Sequence, residues 1–204
     1  LEALGTVDKY LELFSQNREQ ISDGEPGFMS KLREQAITSF QEAGFPAKKD
    51  ENYRHTHLEP VFDGEFAFHF SPRKISFEID EIFHCDVPML NSEVLMVLNG
   101  FYHNPPGNSL QELENGIIYG SLREAIRRYP DLVAEYMCKN ASMQNEAFVS
   151  LNTAFAQDGI FLYVPRNQKM DRPIQIIHLL LSDKNQMVHH RNLFIVEENA
   201  SAEV

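Results

Sequence analysis

The residues best equipped for chemistry in this chain are a few histidines and two thiols. His84-Cys85-Asp86 sets imidazole, thiol and carboxylate side by side, and all three groups ligate iron or zinc. A structural metal site wants four ligands at a recognisable spacing, however, and Cys138, the other cysteine, stands alone on an expected helix. The plainer reading is a free cysteine beside a loop histidine. His55 and His57 are two apart, so on a strand they would share a face and could chelate; in a loop they face solvent or bond to backbone. His189 and His190 are adjacent, point to opposite faces of an extended chain, and make a poor chelate; one inward histidine near a turn is expected. Lys48, Lys49, Asp50 and Glu51 could dock a partner, but a mixed-charge loop is ordinarily solvated. Phe66, Phe68 and Phe70 read as core rather than as a ligand platform. No phosphate-binding loop, dinucleotide fingerprint, nucleophile elbow or HExxH motif occurs, so ATP chemistry would have to come from a partner. These residues nominate no catalytic, cofactor-binding or metal site.

The elements that must position these groups fall into two parts. Val7, Tyr10, Leu11 and Phe14 recur at helical spacing, and after the break at Asp23–Gly27 a second helix is predicted with Phe28, Leu32, Ala36 and Phe40 on one face, stopped by Gly44 and Pro46. Together they predict an antiparallel pair. Residues 46–62 read as a polar connection. Alternation at Phe66–Phe70 and at Ile75–Ile79 predicts half-buried strands, and Asn99-Gly100 between Val94–Leu98 and Phe101-Tyr102 is a strong hairpin signal. Ser121-Leu122-Arg123-Glu124 is a capping box, so a helix starts at Leu122; Pro130 ends or kinks it, and Leu132, Val133, Tyr136 and Met137 support another. Asn145 can cap a last helix with Phe148, Leu151 and Phe155 inward, and Gly159 suits its left-handed end. Beyond Asp158 come DGIFLYVPRN, RPIQIIHLLL and RNLFIVEENASAEV, short apolar runs between turn residues with no helix between them. The last residues begin another alternation with nothing to cover the edge, which implies a cut inside a repetitive β architecture and an open strand edge able to pair with a second copy.

Composition limits the function classes. The 204 residues carry 30 acidic and 18 basic side chains, a net charge of −12, which argues against nucleic acid as the main partner. No apolar run is long enough to span a bilayer, and the first residues lack a signal-peptide pattern. Two cysteines make no disulfide framework, so a reducing cytoplasmic location is the default expectation.

Several motifs in order resemble the SufB/SufD family of iron–sulfur cluster assembly proteins: Leu151-Asn152-Thr153-Ala154, Asp158-Gly159, Tyr163-Val164-Pro165, Pro173-Ile174-Gln175, Arg191-Asn192 and Val196 to Ala202. Upstream, Phe45-Pro46, Lys48-Lys49-Asp50-Glu51 and Thr56 resemble the SufD segment FPTRKDEEWKYT, although Tyr53-Arg54-His55-Thr56 lacks its tryptophan. The resemblance covers roughly residues 28–204. It implies a mainly β protein with an α+β N-terminal part over 1–145, then a linking helix and the first rungs of a right-handed parallel β-helix over 146–204. It implies a non-catalytic, SufD-like scaffold subunit that works with a SufB-like paralogue and a SufC-like ABC ATPase. In that complex the iron–sulfur cluster is handled jointly and ATP is bound by the partner. The family's cluster-handling positions lie later than this sequence reaches, so no cofactor is expected within these residues. A stand-alone parallel β-helix enzyme acting on polysaccharide is the alternative, and it would need paired carboxylates that the apolar runs do not offer. A generic dimerising scaffold is a third reading.

Overall fold

The computed structural model describes residues 5–46, 51–53, 55–56, 58–72, 91–103, 109–137, 139, 143 and 146–204. They form a mixed α/β structure of helices and two small mixed sheets. Helix α1 spans Thr6–Ile21 and α2 spans Gly27–Ala43. Their order along one another is antiparallel: Tyr10 near the start of α1 meets Phe40 near the end of α2 at 6.2 Å between ring centroids, and Arg18 pairs with Glu34 at 2.7 Å. The buried face of α2 differs from the expected one. Met29, Arg33, Ala36, Ile37 and Phe40 are buried, whereas Phe28 and Leu32 are only partly covered and pack against a second apolar cluster. A helix packed on two sides buries a wider stripe than a one-sided pattern predicts. Gly44 ends α2 with φ 64° and its N–H on the Phe40 carbonyl, as expected.

The segment read as a plain connection does more. A 3-10 turn at Glu51–Tyr53 and the short helix α3, Glu59–Phe62, bring Phe62 onto Phe45, with ring centroids 4.5 Å apart. Tyr10 meets Phe45, Phe62 and Phe68 edge to face, and Phe40 meets Phe45 in the same way. Such pairs add to the burial term and fix relative orientation. Residues 66–70 are not a strand: Ala67 alone makes an isolated parallel bridge, to Gln186. Phe68 and Phe70 nevertheless pack on the core, as their spacing suggested. The expected strand at Ile75–Ile79 lies outside the described residues.

Strands β1 (Glu93–Leu98) and β2 (Phe101–His103) form the expected hairpin. Asn99 and Gly100 take φ of 48° and 88°, which suits this pair of residue types at a two-residue hairpin turn. On its other side β1 pairs in parallel with β6, Ile174–Leu179, so Leu95, Met96, Val97 and Leu98 are all buried. The Asn99 side chain continues this ladder by donating to the Leu181 carbonyl (3.0 Å) and accepting from the Leu181 N–H (2.8 Å).

The second sheet runs in the order β3 (Leu110–Glu112), β4 (Ile118–Ser121), β5 (Ile160–Val164), β7 (Leu193–Val196). β3–β4 and β4–β5 are antiparallel and β5–β7 is parallel. Helix α4 (Leu122–Arg128) starts where the capping box placed it, and Pro130 opens α5 (Pro130–Tyr136) as its first residue. Only half of the box forms. Ser121 Oγ accepts from the Glu124 N–H at 3.1 Å, but the Ser121 N–H is already committed to the Ser109 carbonyl across the sheet.

Helix α6 (Ala147–Phe155) follows, with Glu146 rather than a side-chain cap at its start; Asn145 lies outside the described residues. It ends at Phe155, so Gly159 does not terminate it. Gly159 has φ 153°, and a Cβ there would lie 1.9 Å from the Arg191 carbonyl oxygen. It is a close-approach glycine, required by a strand that arrives 32 residues later. Beyond it the three apolar runs become β5, β6 and β7 with no helix between.

Residues on this last stretch pair at a constant offset: Phe161 with Leu193, Val164 with Val196, and Lys169 with Ser201. Asn167 and Asn199, 32 apart, both take positive φ (61° and 57°), and the Asn199 amide donates to the Asn167 side-chain oxygen at 3.3 Å. Three apolar clusters tie the elements together. Tyr10, Phe14, Phe40, Leu151 and Phe155 join α1, α2 and α6. Met29, Leu122, Ile126, Phe161 and Ile195 join α2, α4 and the second sheet. Leu95, Val97, Tyr119, Leu162 and Ile174 fill the space between the sheets.

Candidate functional site

The densest polar cluster lies where α6 turns into β5, at Asp158. Its carboxylate is buried and accepts four hydrogen bonds. Oδ1 takes Ser121 Oγ (2.9 Å), the Arg123 N–H (3.0 Å) and the Gly159 N–H (2.9 Å), and Oδ2 takes the Tyr102 N–H (3.0 Å). One side chain therefore joins the β1–β2 hairpin, the end of β4, the first turn of α4 and the start of β5. Two of these donors are backbone groups at a helix N-terminus and a strand start, which have no partner inside their own element. Burial pushes the Asp158 pKa above the ordinary carboxylate value, and the hydrogen bonds from Arg123, Gly159, Tyr102 and Ser121 pull against that rise.

A second layer fastens α6 to the run that leads into β7, 38 to 39 residues further along the chain. Asn152 donates to the His190 carbonyl (3.0 Å) and accepts from Arg191 Nε (3.1 Å), and Arg191 Nη2 donates to Thr153 Oγ1 (2.8 Å). The Arg191 N–H reaches the Asp158 carbonyl (3.0 Å), and Asn192 Oδ1 accepts from the Ile160 N–H (2.9 Å). On the far side of α6, Arg33 donates to the Thr153 carbonyl (3.2 Å) and the Ala154 carbonyl (2.8 Å), which lie in the last turn of the helix. Arg33 is itself paired in bidentate fashion with Glu25, at 2.9 Å and 2.5 Å, with side-chain exposures of 1% and 3%. A guanidinium satisfies helix-end carbonyls and their dipole at once.

This arrangement is a bracket. The Ser121 hydroxyl beside the carboxylate is buried and also accepts from the Glu124 N–H as a helix cap, and a small cavity lined by Leu122, Ile126, Met137, Thr153 and Arg191 adjoins Asp158. The motifs Leu151–Ala154, Asp158-Gly159 and Arg191-Asn192 converge here from three stretches of sequence. Sequence reasoning singled these residues out as recognisable without seeing that they touch. Arg33 and Glu25 it missed, although Arg33 occupies the apolar stripe with Met29, Ala36 and Phe40, and a lone cation on such a stripe signals a buried pair.

The other nominated residues do not assemble. His84, Cys85, Asp86, Cys138, His57, Lys48, Lys49 and Asp50 lie outside the described residues. His55 and Glu51 are exposed, at a turn and at the start of the 3-10 turn. His189 faces inward and stacks on Phe155 at 5.5 Å, while His190 faces His178 at 4.4 Å, which is the split that adjacency on an extended chain requires. Burial, and secondarily His190, lowers the His189 pKa to about 4; burial and His178 lower that of His190. Among the described residues no three His, Cys, Asp or Glu side chains group as a metal site, and no helix is long and apolar enough to cross a membrane.

Comparison with known proteins places these features. Residues 5–176 match the family model described as the SufBD protein N-terminal region. An iron–sulfur cluster assembly SufBD family protein of Arabidopsis thaliana is 26% identical over 200 residues, covering 88% of this chain and 41% of the relative. One from Synechocystis is 25% identical over 199 residues, covering 97% of this chain and 43% of the relative. One from Staphylococcus haemolyticus is 35% identical over 101 residues, covering 49% of this chain and 21% of the relative. The chain thus spans about two-fifths of the length of the first two relatives.

Proposed function

This chain belongs to the SufBD family of iron–sulfur cluster assembly proteins, and from that premise we propose that it serves as the N-terminal part of a SufD-like, non-catalytic scaffold subunit. Its partners in this reading are a SufB-like paralogue and a SufC-like ATPase, the iron–sulfur cluster is the cargo of the whole complex, and the compartment is the cytoplasm. The observation that carries a scaffold role is the Asp158 bracket. Residues that make the chain recognisable, Asn152, Thr153, Asp158 and Arg191 among them, lock α6, α4 and the hairpin onto the strands. The constant offset from Phe161–Leu193 to Lys169–Ser201, with its stacked asparagines, supports reading residues 160–204 as the beginning of a parallel β-helix. The SufD-like assignment rests on the Phe45-Pro46 to Thr56 stretch. A polysaccharide-cleaving role finds no support in this family membership.

The test is anaerobic co-expression of the full-length protein with its neighbouring gene products, followed by affinity capture and mass spectrometry. Recovery of a related subunit together with an ABC-type ATPase supports the reading. Recovery of the protein alone at every salt concentration overturns it.

A further inference from the structure

Among the described residues four buried polar atoms have no hydrogen-bond partner: Gln157 Oε1, Gln186 Oε1 and Nε2, and His189 Nε2. The three side chains come from the segment after α6 and from the run before β7, and all of them line one small cavity. Phe70, Phe101 and Phe155 supply its apolar walls, and Gln157 is 6% exposed. Leaving four such groups unpaired in the interior forfeits their hydration with nothing in return, so a native fold satisfies them.

The cavity has a volume of ≈ 20 Å³ for water-sized spheres. About 10–15 Å³ on that measure holds one water, so the space suits a single molecule. Its chemistry is set by counting. If His189 Nε2 carries the ring proton, the four atoms present two donors, Gln186 Nε2 and His189 Nε2, and two acceptors, the two glutamine oxygens. That is the complement of one water, which has two of each. If Nε2 carried a lone pair instead, three acceptors would face one donor, and a single water could not satisfy them all.

We infer that this cavity is a specific binding site for one internal water, held by Gln157, Gln186 and His189, and that the water fixes His189 as the neutral Nε2–H tautomer. The site seals the seam where the run 186–189 passes between the end of α6 and the hairpin turn at Asn99–Phe101. A direct metal ligand role for His189 is incompatible with it, because the nitrogen facing the cavity donates.

The test is solution NMR of the 15N-labelled chain, reading the two ring nitrogen shifts of His189 at neutral pH and water-to-protein cross-relaxation at His189 and the Gln186 amide. The expected result is a protonated, pyrrole-type Nε2 and cross-peaks of the sign given by a long-lived water at both groups. Gln186→Leu and His189→Phe should each abolish the cross-peak at the remaining group. A pyridine-type Nε2, or no long-lived water at either group in the unmodified chain, overturns the inference. So does a water signal that persists unchanged in both variants. If a variant does not fold, the unmodified chain decides alone.

Discussion

Replacing Asp158 with Asn is the sharpest test of the bracket. The amide keeps one oxygen, which can go on accepting from Ser121, Arg123 and Gly159. Its NH2 then faces the Tyr102 N–H, so one hydrogen bond is replaced by a donor–donor contact. The lost bond to a charged acceptor is worth about 1.5–3 kcal/mol, and the stranded N–H adds about 1 kcal/mol or more. A destabilisation of roughly 3 kcal/mol follows, and for a chain of this size each kcal/mol lowers Tm by roughly 2–4 °C. Asp158→Ala strands all four donors and should cost more still. The chain has no tryptophan and seven tyrosines, so urea unfolding is best followed by far-UV circular dichroism with tyrosine emission as the second probe. Asp183→Asn, at an exposed position, controls for the loss of a negative charge. A cost below about 1 kcal/mol for Asp158→Asn, indistinguishable from the control, would refute the claim that the Asp158 carboxyl group holds this corner.

Arg33→Met should cost about 3–5 kcal/mol because it leaves Glu25 charged and buried, while Arg33→Met with Glu25→Leu should recover most of that loss; equal costs for the single and double variants would sink the ion-pair argument. His189 has its folded pKa depressed to about 4 from 6.5, so its contribution is complete above pH 6.5 and is lost as pH falls towards 4. His69 lines the same cavity and His190 adjoins it, so the decline, up to about 3 kcal/mol, is assigned by comparing His189→Phe, whose stability should be flatter over that window in denaturant titrations. Strand β7 ends its sheet with Phe194 42% and Val196 47% exposed, and sizing of this 204-residue chain across a wide concentration range should show association that Phe194→Lys suppresses; a strictly monomeric chain at all concentrations would count against edge pairing.

Local chemistry made part of this protein legible. Asn99-Gly100 announces a hairpin because both residues tolerate positive φ, and Ser121 announces a helix start because its hydroxyl can reach the N–H three residues on. The apolar periodicities of α1 and of the three runs after Asp158 are likewise set by what each segment must bury. Motif order along the chain was enough to suggest the family. Other features depended on partners distant in sequence. Gly159 looks like a helix terminator when only its neighbours are considered; the Arg191 carbonyl that forbids a side chain there arrives 32 residues later. Arg33 sits on the apolar stripe of α2, but its partners, Glu25 and the carbonyls at the end of α6, are named only by the fold. Phe66–Phe70 alternates like a strand, yet among the described residues Ala67 alone of this run makes a bridge, to Gln186. The sequence by itself determined the hairpin turn at Asn99-Gly100, the start of α4 and the apolar character of α1 and of the three late runs, because those follow from torsional preference and periodicity within a few residues. Only the tertiary structure decided that Asp158, Asn152, Thr153 and Arg191 form one bracket, and that Gln157, Gln186 and His189 share one cavity. Desolvation and hydrogen-bond saturation depend on which distant segments close over a group, and spacing along the chain does not record that.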